Sequence, residues 1–93
     1  MTRVERIKIR LTQSLAPESL EIIDDSASHA GHAGVRERGG GHFFATIVSP
    51  KFEGKSLIQR HKLVYESLGD LMQSEIHAFS IKAYTPNEIK KGN

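Results

Sequence analysis

Histidine is the residue type in this chain with the clearest chemical potential. The 93 residues include five histidines and no cysteine. Neutral imidazole is a good ligand for iron and other transition metals, and its ability to bind them changes with pH near neutrality. Because the chain has no thiol, it cannot form a disulfide or a cysteine-ligated metal site alone. Any soft-metal or cluster chemistry must therefore use histidine, or thiolates from another molecule.

Three of the histidines are candidate metal ligands. His77 precedes Phe79 and Ile81 at strand spacing, so it is either a ligand held by a sheet or a sheet-edge histidine bonded to the backbone. His29 and His32 lie in a glycine-rich stretch, where they are either ligands on a loop or solvated loop residues. A loop that joins two paired strands could bring one of them to His77.

The other two histidines have simpler interpretations. His42 begins a predicted strand, where it either supports a neighbouring ligand or is an ordinary edge residue. His61 falls on the apolar stripe of a predicted helix, which favours a mostly buried imidazole with one partner.

Capping boxes predict where the helices that carry and support these residues begin. The spacing of a hydroxyl and a carboxylate or amide three residues apart occurs at Thr2–Glu5, Ser56–Gln59 and Thr85–Glu88. The first helix ends before Pro17, and its buried stripe is formed by Val4, Ile7, Leu11 and Leu15. The second, long helix is predicted to bury one stripe of Leu57, His61, Val64, Leu68 and Leu71, widened by Ile58, Tyr65 and Met72.

Hydrophobic alternation predicts strands over residues 20–25, 42–48 and 76–84, with residues 26–41 as a mobile loop. The first two strands can pair as a long-looped hairpin, and the second and third, joined through a helix, can pair in parallel. The prediction is a single α+β domain over residues 1–93, in the order αββααβα, with a three-stranded mixed sheet packed with helices. Its predicted core includes Ile7, Leu11, Ile22, Ile47, Val64, Leu68 and Ile81.

The order of several short motifs resembles the BolA family across nearly the whole chain. These motifs are Asp24-Asp25-Ser26 ahead of a histidine-bearing loop, His42-Phe43, Phe52-Glu53-Gly54, Gln59-Arg60-His61, Ile76-His77-Ala78-Phe79-Ser80-Ile81-Lys82 and Thr85-Pro86. The resemblance implies the class II KH-like fold of that family, which agrees with the predicted order of elements.

The resemblance also implies a partnership with monothiol glutaredoxins and a shared [2Fe–2S] cluster, to which the glutaredoxin would supply a cysteine and glutathione a thiol. It implies that His77, which matches the family's invariant histidine, is a ligand together with His29 or His32. His29 follows Asp25-Ser26 at the family's interval, whereas His32 lies closer to the position counted back from His42. We expect an adaptor for cluster transfer or for iron and redox regulation, without a cofactor when isolated, monomeric alone and heterodimeric with its partner.

The alternative is a DNA-binding transcriptional regulator, as some members of the family are described. A basic strip around the turn and the long helix could contact nucleic acid through Lys51, Lys55, Arg60 and Lys62. Acidic residues interrupt this strip, so a solvated helix face is the simpler interpretation. The Gly-x-x-Gly clamp of RNA-binding KH domains does not form at Gly54, because Leu57 stands three residues later.

Other functions lack support. Gly54-Lys55-Ser56 resembles the end of a P-loop, but Ser49 stands where that motif needs glycine. No serine, histidine and carboxylate stand at a recognisable motif spacing, so we expect no enzyme activity. The net charge of +2 gives little general attraction to polyanions. No run approaches the roughly 20 apolar residues of a membrane span, and we expect a cytoplasmic protein without membrane association.

Overall fold

The computed structural model describes residues 2–25, 41–74 and 76–91 of the chain. Along the described residues the elements are helix α1 (Arg3–Leu15), strands β1 (Ser19–Asp24) and β2 (Gly41–Val48), a 3₁₀ turn (Pro50–Phe52), helices α2 (Leu57–Leu68) and α3 (Leu71–Ser74), strand β3 (Ile76–Tyr84) and helix α4 (Pro86–Lys91). This order confirms the predicted αββααβα arrangement. The predicted loop differs at one end, because Gly41 belongs to β2. Its other residues, 26–40, lie outside the described part of the chain, and His29 and His32 lie among them.

All three predicted capping boxes form. In α1 the Thr2 hydroxyl accepts from the Glu5 backbone N–H, and the Glu5 carboxylate accepts from the Thr2 backbone N–H. The equivalent reciprocal pairs occur at Ser56–Gln59 and at Thr85–Glu88. Each pair satisfies backbone donors that a helix start otherwise leaves open, so these local signals are reliable guides to the helix boundaries.

The three strands form one mixed sheet in the order β1-β2-β3. Strand β2 is central; it pairs antiparallel with β1 and parallel with β3, as predicted. Phe43, Ala45 and Ile47 of β2 face the core, and Phe44 between them is exposed. The predicted alternation is therefore confirmed, although Val48 at the end of the opposite face is also buried.

The core lies between one face of the sheet and helices α1 and α2. Ile7, Leu11 and Leu15 of α1 are fully buried against Ile47 and Phe52 and against residues of α2. Two predicted core residues, Ile22 and Ile81, are only partly buried and pack at the margin of this cluster. They lie on the two outer strands, where the helices cover the sheet less completely.

The predicted buried stripe of α2 is partly wrong. The buried residues of this helix are Arg60, Val64 and Leu68, whereas Leu57 and Ile58 remain 64% and 75% exposed. The predicted burial of these two residues and of Tyr65, which is also exposed, is therefore a misassignment, and His61 is only half-buried. The stripe is displaced because a cation, Arg60, takes the inward position in the first turn.

The long helix also breaks earlier than its apolar spacing predicts. Gly69 adopts a positive φ of 54°, and its N–H donates to the carbonyl of Tyr65, which ends α2. From α1, the Arg10 guanidinium donates to the carbonyl of Leu68 at 2.7 Å and to the Asp70 carboxylate at 2.9 Å. Glycine tolerates this backbone conformation, and Arg10 satisfies a carbonyl that the helix end leaves open. Leu71 and Met72 therefore belong to a separate short helix, α3.

Candidate functional site

The candidate site lies at the end of the sheet where β1 stops and β2 and β3 begin. The parallel pairing places Gly41 beside Ile76, so the first residues of β2 and β3 are neighbours. Strand β1 runs the other way, and the backbone N–H of Asp25, just after it, donates to the carbonyl of His42 at 2.7 Å. His42 and His77, 35 positions apart in the sequence, thereby meet at one edge.

A β-bulge decides how His77 is presented. The pairing steps from Gly41–Ile76 to His42–Ala78, so His77 is an extra residue on β3 at this point. The alternation predicted for His77 with Phe79 and Ile81 does not hold, because the extra residue shifts the pleat: Phe79 is buried, whereas His77 is exposed. Bulges commonly redirect a side chain next to a functional site.

The two imidazoles at this edge lie against each other. The ring centroids of His42 and His77 are 5.1 Å apart, and the ring planes are tilted by 43°. His42 is half-buried and its Nε2 atom is shielded from solvent, whereas His77 is exposed. His42 therefore contacts the ring of His77, and its supporting role stays a prediction.

The donor set at this edge fits part of a metal or cluster site. Imidazole nitrogen is a ligand that iron, copper and zinc accept. Among the residues that the structure describes, no group of three or more histidine, aspartate or glutamate side chains could hold a metal ion. His61 lies on α2 and is half-buried. The described residues therefore bring two imidazoles together, and any further ligands would come from residues 26–40 or from another molecule.

Arg60, one of the four predicted nucleic-acid contacts, has a structural role instead. Its guanidinium forms a two-point ion pair with Glu88, with nitrogen–oxygen distances of 2.8 and 2.9 Å. It also donates to the carbonyls of Lys55 and Ala83, at 2.9 and 3.0 Å, and lies over the ring of Phe52. Arg60 thus ties α2 to the turn, to the end of β3 and to α4.

The ion pair changes the acidity of both partners. Hydrogen bonds from Arg60, and then from the Thr85 backbone N–H, lower the pKa of Glu88 to about 2. The hydrogen bonds that Arg60 donates to the Glu88 carboxylate raise the pKa of Arg60. Sequence spacing could not identify this pair, because Arg60 and Glu88 are 28 residues apart. The available signal was the capping box at Thr85–Glu88, which fixes where the carboxylate lies.

The predicted basic strip is reduced to three lysines. Lys51, Lys55 and Lys62 are exposed, but Arg60 is buried, so its assignment to an exposed strip is wrong. Glu53 and Glu66 are exposed near these lysines in the sequence. Three lysines with glutamates between them in the sequence can contact fewer phosphate groups than the four cations that were predicted.

The sheet face opposite the core carries a small apolar surface that leads away from His42. Ile23 and Phe44 are partners across β1 and β2 and are 53% and 46% exposed. Phe44 lies two residues after His42, on the same face of the strand. With Ser80 and Lys82 of β3, these side chains line a shallow depression.

In the ranges that the structure covers, no helix is long and apolar enough to cross a membrane. The predicted cytoplasmic location stays a prediction, because two relatives described below carry chloroplast or mitochondrion in their names.

Comparison with known proteins identifies relatives along nearly the whole chain. The chain is 47% identical over 92 residues to SufE-like protein 1, chloroplastic/mitochondrial, of Arabidopsis thaliana, covering 95% of this chain and 25% of that protein. It is 43% identical over 88 residues to Protein BOLA1, chloroplastic, of the same organism, covering 92% of this chain and 55% of the relative. The chain thus spans a quarter to little more than half of the length of these curated relatives.

Structure comparison and a family model agree with these relatives. The solved BolA domain of SufE1 from Arabidopsis thaliana matches with a TM-score of 0.80 and 44% identity, covering 95% of this chain and 96% of that one. The family model for BolA-like protein matches residues 11–88, which include the three strands and both histidines of the candidate site. The α+β fold with its three-stranded mixed sheet is accordingly that of solved BolA domains, and the chain belongs to the BolA-like protein family.

Proposed function

We propose that this chain is an adaptor that partners a monothiol glutaredoxin and holds a shared [2Fe–2S] cluster through histidines, for cluster transfer or for iron and redox regulation. The observation that carries the proposal is the exposed imidazole of His77 on a β-bulge, beside His42, at one end of the sheet. His77 is the proposed main ligand, and His29 or His32 is the proposed second one.

The connectivity of the chain supports this pairing of ligands. Residues 26–40, which include His29 and His32, join Asp25 to Gly41, and both of those residues belong to the edge where His77 lies. The segment that contains His29 and His32 therefore begins and ends at the edge of the sheet where His77 lies. The backbone of His77 is already positioned in β3, so this residue loses little conformational entropy when it binds a cluster, and this favours ligation.

The absence of cysteine determines what the partner must supply. A [2Fe–2S] centre usually has four cysteine ligands, and two histidines can replace two of them on one iron. Two imidazoles from this chain would leave two positions, which a glutaredoxin cysteine and a glutathione thiol would fill. Histidine ligation raises the potential of such a cluster, and it requires neutral imidazoles, so the complex would respond to pH.

The test is to mix the protein with a reconstituted monothiol glutaredoxin and glutathione and to record visible absorption and circular dichroism. The buffer is held at about pH 7.5, above the ordinary histidine pKa of about 6.5. The wild-type chain is expected to change the spectrum of the glutaredoxin cluster. His77→Ala is expected to abolish that change or shorten the cluster lifetime, and His61→Ala is the matched control, since His61 lies elsewhere, on α2.

The loop histidines are tested in the same assay. Either His29→Ala or His32→Ala alone is expected to be rescued by its neighbour, whereas the double variant is not. The complex without iron is expected to persist in all of these variants, because contacts between the proteins do not need the cluster. A His77→Ala complex with an unchanged spectrum and cluster lifetime would show that His77 is a structural residue and that the proposal is wrong.

A further inference from the structure

The two outer strands of the sheet differ in how their free edges are protected. Along β3, the Arg60 guanidinium of α2 donates to the carbonyl of Ala83 at 3.0 Å. The Tyr65 hydroxyl, also on α2, lies 3.5 Å from the carbonyl of Phe79. These side chains occupy positions that an added strand would need, so α2 closes the edge of β3 to further pairing. The other edge of the sheet is β1.

Strand β1 directs backbone donors and acceptors away from the sheet. The N–H of Asp25 points toward β2, where it donates to the carbonyl of His42. Because backbone groups alternate in direction along an antiparallel strand, the N–H and carbonyl groups of Leu20 and Ile22 point away from β2. In the part of the chain that the structure describes, no hydrogen bond reaches these groups. They form an edge with which another extended chain can pair.

The side chains of β1 indicate which kind of chain would pair there. Leu20 and Ile22 are half-buried at the margin of the core, so their neighbours on an added strand would be apolar. Glu21, on the opposite face, is exposed, and residues 18–25 contain four carboxylates and no cation. Opposite charges on neighbouring strands attract, so the neighbour of Glu21 would be basic. We propose that the free edge of β1 is a docking site for an extended segment of a partner protein in which basic and apolar residues alternate.

The mode of binding would be the addition of a fourth strand to the sheet. Main-chain hydrogen bonds supply affinity in this mode, and the alternating side chains supply specificity. Strand β1 is six residues long, a usual length for a strand in a sheet. On the outer face, Ile23 is 53% exposed and borders Phe44, so the aliphatic stems of lysine or arginine side chains could pack there.

A second copy of this chain fits the edge less well than a basic segment does. Pairing of β1 with its own copy would bring the carboxylates of residues 18–25 from both chains together, and like charges on neighbouring strands repel. The proposal goes beyond the proposed function, because it needs neither His77 nor a cluster.

The experiment adds a peptide of about eight residues, with alternating lysine and valine and blocked ends, to the isolated protein without iron. NMR amide signals and amide exchange report where it binds. We expect the signals of β1 to shift and the N–H groups of Leu20 and Ile22 to exchange more slowly. A glutamate–valine peptide should bind much more weakly, and a lysine–valine peptide methylated on alternate backbone nitrogens should not pair. The His77→Ala variant should bind as the wild type does.

Charge reversal provides a matched pair of variants. Glu21→Lys should weaken binding of the lysine–valine peptide by about fivefold or more, because attraction across the strands becomes repulsion. Glu66→Lys makes the same change in net charge on the exposed surface of α2 and should have little effect.

Several results would each overturn the inference. They are unchanged β1 signals at about 1 mM peptide, a dissociation constant typical of weak binding, and equal binding of the methylated or the glutamate peptide. Slow exchange of Leu20 and Ile22 in the isolated chain would show that the edge is already covered. If sedimentation then showed a dimer, the occupant would be a second copy. None of these results would alter the cluster assay, so the proposed function would stand or fall separately.

Discussion

Replacing Leu68 with alanine is expected to lower the free energy of unfolding by about 2–5 kcal/mol. Leu68 is 0% exposed and belongs to the cluster formed by α1, α2 and the inner face of the sheet. The substitution removes three buried carbon atoms and leaves a cavity that neighbours on three elements can only partly fill. A domain of this size has a total stability of about 5–14 kcal/mol, so the loss is a large fraction of it.

The matched control is the same substitution at the other end of α2. Leu57 is 64% exposed, so Leu57→Ala should change the free energy of unfolding by no more than about 0.5 kcal/mol. Urea unfolding followed by circular dichroism measures both variants, and the wild-type slope should be retained. In a thermal scan, each kcal/mol lost should lower the melting temperature by about 4–8 °C.

The pair of variants tests which face of α2 is buried. Apolar spacing treats Leu57 and Leu68 as equivalent members of one stripe, whereas the structure makes them opposites. A loss below about 1 kcal/mol for Leu68→Ala, or similar losses for both variants, would refute the packing of α2 described above.

Three further predictions concern the ion pair, the helix break and nucleic acid. The pKa of Glu88 in the folded protein, about 2, lies below its ordinary value of 4.5. The stability that the ionised carboxylate contributes is therefore present above pH 4.5 and is lost as the pH falls toward 2. Glu88→Gln should lower the urea midpoint of unfolding at pH 7, and the difference from the wild type should shrink at pH 3. Gly69→Ala should destabilise the protein by about 1–3 kcal/mol, because alanine is strained at its positive φ; an unchanged urea midpoint would contradict this. DNA or single-stranded RNA should bind weakly and lose affinity steeply with salt, measured by fluorescence anisotropy; sub-micromolar binding at moderate salt, independent of the exposed lysines, would contradict this. Those lysines are Lys51, Lys55 and Lys62.

The sequence alone determined the order, type and approximate limits of the elements, apart from the break between α2 and α3, because the signals for them are local. A capping box joins residues three positions apart, and strand alternation needs only neighbouring residues. The hairpin of β1 and β2 and the parallel pairing of β2 with β3 followed from the order of elements and the connections between them. The ordered motifs also identified the family, and they pointed to His77 as the chemically interesting histidine.

Tertiary structure alone decided which side chains face which surroundings, since that depends on residues distant in the sequence. Arg60 is buried because Glu88, 28 residues later, meets its guanidinium, and this contact displaces the apolar stripe of α2. His77 is exposed because the pairing of β3 with β2 shifts by one residue at Gly41 and His42. A bulge is a property of two strands together and leaves no periodic trace in either one. The parallel pairing that places Gly41 beside Ile76 also makes His42 and His77 neighbours, a contact that depends on the register of two strands distant in the sequence.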